Sequence, residues 1–352
     1  MSEKQQISTA ADQERIVYLD ALRVAAVFAV IVIHLAATGY QEAIRDSCEW
    51  VVCLTYNTVT RFAVPVFVMI SGAIHLNPER EVTMAHLLKK VGRLMAAFFF
   101  WSLLYALTES LKTHTIFSSG YFLSVARKTV TGHYHMWYIH MISVLYLATP
   151  FLRPIAADRK LLRMFLLLAF LFNHGIRALG MIPGWEDTLD SLMNSADIGI
   201  FSGYSGYYCL GYYLHSGKYT KKQVGTFALV SAALLAAAIL SAIGLDRTNG
   251  VFSEKMPHIF LFSAGVFLLF QSAAEQLEQS QLIKVIIRKL APCTFGIYLV
   301  HPVFNFLFRK AGLFALTFHP LLCVPLVAVL VCAASFTTVL CMRKIPLLKR
   351  FV

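Results

Sequence analysis

The chain has 352 residues, enough for about two soluble domains, yet 58% of them are apolar, only 14% are charged, and the mean hydropathy is +0.64. That composition excludes a soluble globular enzyme and points to a polytopic membrane protein. The formal charge of +12 does not read as a nucleic-acid footprint, because the basic residues gather on no soluble module that could dock a duplex.

A bilayer-spanning helix needs about 20 mostly apolar residues. Such runs lie at 17–37, 51–75, 93–111, 136–152, 162–182, 198–214, 223–244, 257–275, 291–309 and 319–342. The expected fold is therefore an all-α transmembrane bundle of about ten spans. It forms one integral membrane domain over residues 1–352, with a polar tail at 1–16 and a basic tail at 343–352. Most of the 31 Lys and Arg collect in alternate loops and in both tails, among them Lys89, Lys90, Arg159, Lys160, Lys221, Lys222, Lys349 and Arg350. Cationic loops stay in the cytoplasm, so both termini are expected there. The first span is longer than a secretory h-region and carries no cleavage pattern, which makes it an uncleaved anchor.

The first span holds Asp20, Arg23 and His34 in an otherwise apolar run. A charge in hydrocarbon is costly and points to function. Eleven helical steps bring the chain to within about 20° of its starting direction, so Arg23 and His34 share one face, about 16 Å apart along the axis. Asp20 lies one turn before Arg23, near the same stripe. One helix thus presents carboxylate, guanidinium and imidazole as a track suited to a ligand with a charged head and a long thin tail.

In the second run, Arg61 stands beside Asn57, Thr58 and Thr60, and Pro65 should kink the helix and free a carbonyl. Arg61 faces either the bundle interior or backbone carbonyls at that bend. Ser71-Gly72 is a small pair that permits close helix packing. His133, His135, Trp137 and His140 open the fourth run, a mixture suited to a sugar platform, although interfacial anchoring accounts equally for Trp137. In the fifth run, Asn173, His174 and Arg177 are either substrate contacts or a structural hydrogen-bond network. Glu186, Asp187, Asp190 and Asp197 form an acidic loop that either contacts sugar hydroxyls or is simply solvated. His301, before Pro302, is a further candidate polar contact in the ninth run. The seven cysteines show no CxxC spacing, so no metal site is expected; Cys48 and Cys53 are either core residues or a pair that could bridge in an oxidising compartment.

These landmarks, in this order, resemble the acyltransferase-3 family of integral membrane enzymes that O-acylate bacterial surface and exported carbohydrates. The resemblance is carried by Tyr18-Leu19-Asp20-Ala21-Leu22-Arg23 leading to His34, then by Arg61 ahead of Val64-Pro65-Val66-Phe67-Val68-Met69-Ile70-Ser71-Gly72. His135-Met136-Trp137-Tyr138 and Gly296-Ile297-Tyr298-Leu299-Val300-His301 complete it. Val24 stands where members often have Gly, and Phe67-Val68 replaces paired phenylalanines; the polar residues are intact.

The resemblance implies an O-acetyltransferase of the bacterial inner membrane, with acetyl-CoA or another acyl-CoA as donor and a glycan or lipid-linked saccharide hydroxyl as acceptor, without a metal. On that reading His34, Arg23 and Asp20 form the catalytic set, with His34 as general base or transient acyl carrier. Arg23 and Arg61 bind the donor, Arg61 alternatively stabilising the oxyanion. His135, Trp137, Asn173, His174, Arg177 and His301 are the candidate substrate contacts. A transporter or flippase would also line its path with buried polar residues. The chain shows neither an internal repeat nor matching broken spans of the kind inverted-repeat transporters carry.

Overall fold

The computed structural model describes residues 16–110, 118–182, 184–185, 188–189, 191–192, 201, 203–244, 248 and 250–352. Among them there is no strand. The helices are α1 (Val17–Glu42), α2 (Cys48–Thr60), α3 (Ala63–His75), α4 (Met84–Ser110), α5 (Ser119–Thr131), α6 (Trp137–Ala157), α7 (Arg159–Leu179), α8 (Ser205–His215), α9 (Lys221–Gly244), α10 (Pro257–Ser272), α11 (Ala274–Gln279), α12 (Gln281–Leu290), α13 (Thr294–Lys310) and α14 (Pro320–Lys344). The acidic-loop residues Glu186, Asp187, Asp190 and Asp197 lie outside the described residues.

Among the described residues, seven helical stretches are long and apolar enough to cross a bilayer: α1, α2 with α3, α4, α6, α7, α9 and α14. The runs at 198–214, 257–275 and 291–309 yield the shorter α8, α10 and α13. At the start of the last run, Pro292 sits in a 3₁₀ turn, Ala291–Cys293, so α13 begins only at Thr294.

Proline and glycine chemistry set two features around the site. Pro65 has no N–H to offer the carbonyl of Arg61, and the helix breaks there: α2 ends at Thr60 and α3 restarts at Ala63. At Gly72 and Gly211, α3 and α8 meet backbone to backbone. A Cβ on Gly72 would fall 1.8 Å from the Tyr208 carbonyl oxygen, and one on Gly211 would fall 1.9 Å from that of Met69. Only a residue without a side chain permits that approach, the use of small residues expected between membrane helices.

α1 is the most enclosed of the seven spans and packs against α2, α3, α10, α12, α13 and α14. Leu22, Ala26, Ile31 and Ala36 are fully buried along it. Its polar stripe therefore faces protein. The basic tail is not a free end: α14 runs to Lys344, and a 3₁₀ turn, Leu348–Phe351, folds back onto α4. All seven cysteines are free thiols, with Cys48 Sγ 3.5 Å from His319 Nε2, so Cys48 and Cys53 form no bridge.

Candidate active site

Arg23 lies near the end of the bundle where the lysines and arginines of α4 and of residues 349–350 collect. Its Nη1 donates to Asp20 Oδ1 at 2.9 Å, one turn earlier on α1. The carboxylate thereby aims the guanidinium. Arg23 borders a cavity of about 270 Å³ whose other walls include Val30, Phe67, Ser71, Tyr138, Tyr146 and Tyr298.

His34 lies farther along the same helix, about 12 Å short of Glu42 at 1.5 Å per residue. It borders a second cavity, about 220 Å³, with Thr38, His133, Tyr134, Asn305 and Arg309. The two cavities share no lining residue. Tyr298 stands between them: it lines the first, and its ring packs 5.3 Å from that of His135 and 6.2 Å from that of His301. Tyr138 lies 5.8 Å from Tyr298, completing an aromatic partition.

Around His34 the fold assembles a group of imidazoles from four places in the chain. The His34 ring stacks on His301, centroids 5.2 Å apart with 23° between planes, and meets Tyr134 edge-on at 5.1 Å. His301 Nδ1 lies 2.7 Å from the Tyr298 carbonyl oxygen, and the Tyr298 hydroxyl donates to the His135 carbonyl. His135 Nδ1 and His133 Nδ1 are 2.8 Å apart, and His133 Nε2 lies 3.0 Å from Glu109 Oε1.

A backbone partner fixes the tautomer of the neutral His301 ring. A carbonyl can only accept, so His301 carries its proton on Nδ1 and leaves Nε2 bare. Glu109 accepts from His133 Nε2, and one hydrogen bond joins the Nδ1 atoms of His133 and His135. Burial, and then the neighbouring imidazoles, push the His135 pKa well below the ordinary value, which keeps that ring neutral. His135 Nε2, His301 Nε2 and Asn305 Oδ1 are all buried without a partner. Asn305 Oδ1, on the wall of the His34 cavity, is suited to a ligand that brings a hydroxyl donor. Among the described residues no group of three or more His, Cys, Asp and Glu is arranged to hold a metal.

The remaining candidates lie elsewhere. Arg61 borders neither cavity: its Nε donates to Asn57 Oδ1 at 3.1 Å, its Nη1 pairs with Glu254 Oε1 at 3.2 Å, and its guanidinium lies over the Phe252 ring. Asn173 and His174 sit in a π-helical stretch of α7, Phe170–Gly175. His174 Nδ1 reaches the Lys255 carbonyl at 2.9 Å and Asn173 Nδ2 the Gly203 carbonyl at 3.4 Å, a network that ties α7 to the segments before α8 and α10. Asn173 Oδ1 and Arg177 Nε have no partner. Trp137 is exposed and rests against Tyr204. His140 packs on Phe98.

Sequence reasoning missed Glu109, Tyr134 and Glu254. Glu109 closes a span end, Tyr134 lies in a short loop, and Glu254 precedes a helix, positions where polar residues are ordinary. The Tyr298-to-His301 spacing, one helical turn, was the available signal for the partition.

No curated protein and no solved structure matches the chain. A family model described as an acyltransferase domain matches residues 16–342 and so takes in both cavities. The chain belongs to the acyltransferase-3 family and is a multi-pass membrane acyltransferase.

Proposed function

We propose that the protein moves an acetyl group from acetyl-CoA, entering from a cytoplasmic basic end, to a hydroxyl of an exported or lipid-linked glycan in the inner membrane. The observation that carries this reading is the placement of Arg23 and His34 along one buried helix, each on its own internal cavity. The fixed cation of Arg23 suits a phosphorylated donor. Asn305 Oδ1, unpartnered on the wall of the His34 cavity, offers an acceptor to a sugar hydroxyl.

In the proposed step, His34 takes the proton of an acceptor hydroxyl, whose oxygen attacks the thioester carbonyl carbon. The tetrahedral intermediate then expels CoA sulfur, which recovers the proton, so an ester and a thiol replace an alcohol and a thioester. The reacting groups meet only if Tyr298 yields, since its ring separates the two cavities. Arg61, already paired with Glu254, is assigned to holding the segment before α10 against the bundle rather than to donor binding.

Two measurements test the reading. Membranes containing the protein should consume radiolabelled acetyl-CoA and place the label in an ester. Mass spectrometry of envelope glycans from cells with and without the protein should differ by one acetyl increment. Solute movement with no new ester would favour a transporter and overturn the proposal.

A further inference from the structure

Residues 345–352 cross back over the basic end of the bundle. The Phe351 ring lies flat on Phe100, centroids 4.4 Å apart with 4° between planes, and Trp101 Nε1 donates to the Phe351 carbonyl at 3.0 Å. Next to them, a Cβ on Gly296 of α13 would come within 3.1 Å of Val352 Cβ. The segment is thus fixed at both flanks, on α4 and on α13.

Its course closes one side of a cavity of about 1080 Å³ lined by Lys89, Lys90 and Arg93 of α4 together with Lys349 and Arg350. No Asp or Glu is among the lining residues. Lys90 is turned inward, its Nζ 2.6 Å from His75 Nε2. Leu94, Tyr146 and Phe295 line both this cavity and the Arg23 cavity, so the two adjoin. Positive-inside topology accounts for lysines at this end, but not for five cations converging on one concavity with the chain folded back to supply two of them. Like charges so arranged repel unless a polyanion joins them.

We propose that residues 345–352 and the first turns of α4 form a polyanion site in which Lys349, Arg350, Lys89, Lys90 and Arg93 grip the phosphorylated nucleotide end of the acyl-CoA. The thioester arm then passes Arg23 toward Tyr298. This inference rests on the acyl-CoA reading above. The segment is a binding element, and its cations act on donor affinity and not on chemistry.

The test is equilibrium binding of radiolabelled CoA and of 3′-dephospho-CoA to the full chain in nanodiscs of phosphatidylcholine. K349A/R350A is expected to weaken CoA binding about tenfold or more, as the loss of charge-assisted phosphate contacts does. The effect should be smaller for 3′-dephospho-CoA. K89A/R93A, which reaches the same cavity from α4 and leaves residues 345–352 untouched, should act in the same direction. Lys344→Ala, an exposed cation outside the cavity, should bind as the unmodified protein does. Unchanged CoA affinity in both double variants would overturn the site. So would variants whose only change is less co-purified phosphatidylglycerol, since the cations would then serve lipid headgroups. Failure of the unmodified protein to bind either nucleotide would instead remove the acyl-CoA reading itself.

Discussion

The imidazole of His34 lies on that of His301, centroids 5.2 Å apart and planes 23° from parallel, although the two residues come from the first and the penultimate long helices. His301 therefore packs directly on the ring that borders the second cavity. If His34 is the base, His34→Ala should reduce ester formation by about 10²–10⁴-fold while the purified protein keeps its melting temperature. His301→Ala should leave a measurable rate with weakened acceptor saturation. Equal turnover by the His34 variant and the parent would remove His34 from the mechanism.

Glu109 touches the cluster through His133, which makes it a positioning residue. Its carboxylate accepts from His133 Nε2 and so orients that ring against His135. Glu109→Ala should lower kcat about tenfold with little change in the donor KM. Glu109→Gln keeps an acceptor oxygen for Nε2–H and should recover much of the loss. A glutamine variant as poor as the alanine one would show that charge, and not orientation of the ring, is what Glu109 supplies.

The Arg61–Glu254 pair is partly buried, with the two side chains 21% and 16% exposed. Removing one partner strands the other charge in a poorly solvated place, whereas removing both does not. Glu254→Ala should destabilise the protein by about 1–3 kcal/mol, and R61M/E254M should be closer to the parent in thermal stability. If Arg61 instead served the donor, Arg61→Met would raise the acetyl-CoA KM with stability unchanged.

Much of the architecture is written in local sequence. The 3.6-residue period put Arg23 and His34 on one face, the missing N–H of Pro65 broke the helix after Thr60, and Gly72 gave a close crossing. The rest depends on partners brought from far along the chain. His34 meets His301, Arg61 meets Glu254, and Tyr298 reaches the backbone of His135, none of which a helical period encodes. Hydropathy likewise marks where chain can enter a bilayer but not where helices stop, so three of the expected spans became shorter helices. The basic tail was read as charge alone because its docking depends on the aromatic face of α4.

The α3–α8 crossing offers a stability test separate from chemistry. A methyl on Gly211 would overlap the Met69 carbonyl, so the helices would have to part. Gly211→Ala should cost about 1–3 kcal/mol and lower the melting temperature in detergent, with Gly72→Ala acting in the same way. Because both positions lie on one contact, the double variant should be less harmful than the two losses combined. Full additivity would mean that the crossing opens independently at its two ends.

Tyr298 sets the last expectation. Its ring separates the cavity of Arg23 from the imidazoles, and its hydroxyl pins it to the His135 backbone. If donor and acceptor occupy the two cavities as proposed, a partition in that place would keep water from the thioester until an acceptor is seated, the exclusion of side reactions that closed sites provide. Tyr298→Phe keeps the ring and loses the tether, so coupled transfer should persist with a modest rise in hydrolysis. Tyr298→Ala removes the ring and should release free acetate from acetyl-CoA in the absence of any acceptor, at a rate at least comparable with its residual transfer. If Tyr298→Ala neither hydrolyses nor transfers while still binding CoA, the ring is needed to position the thioester, and the barrier between the cavities must lie in the surrounding backbone.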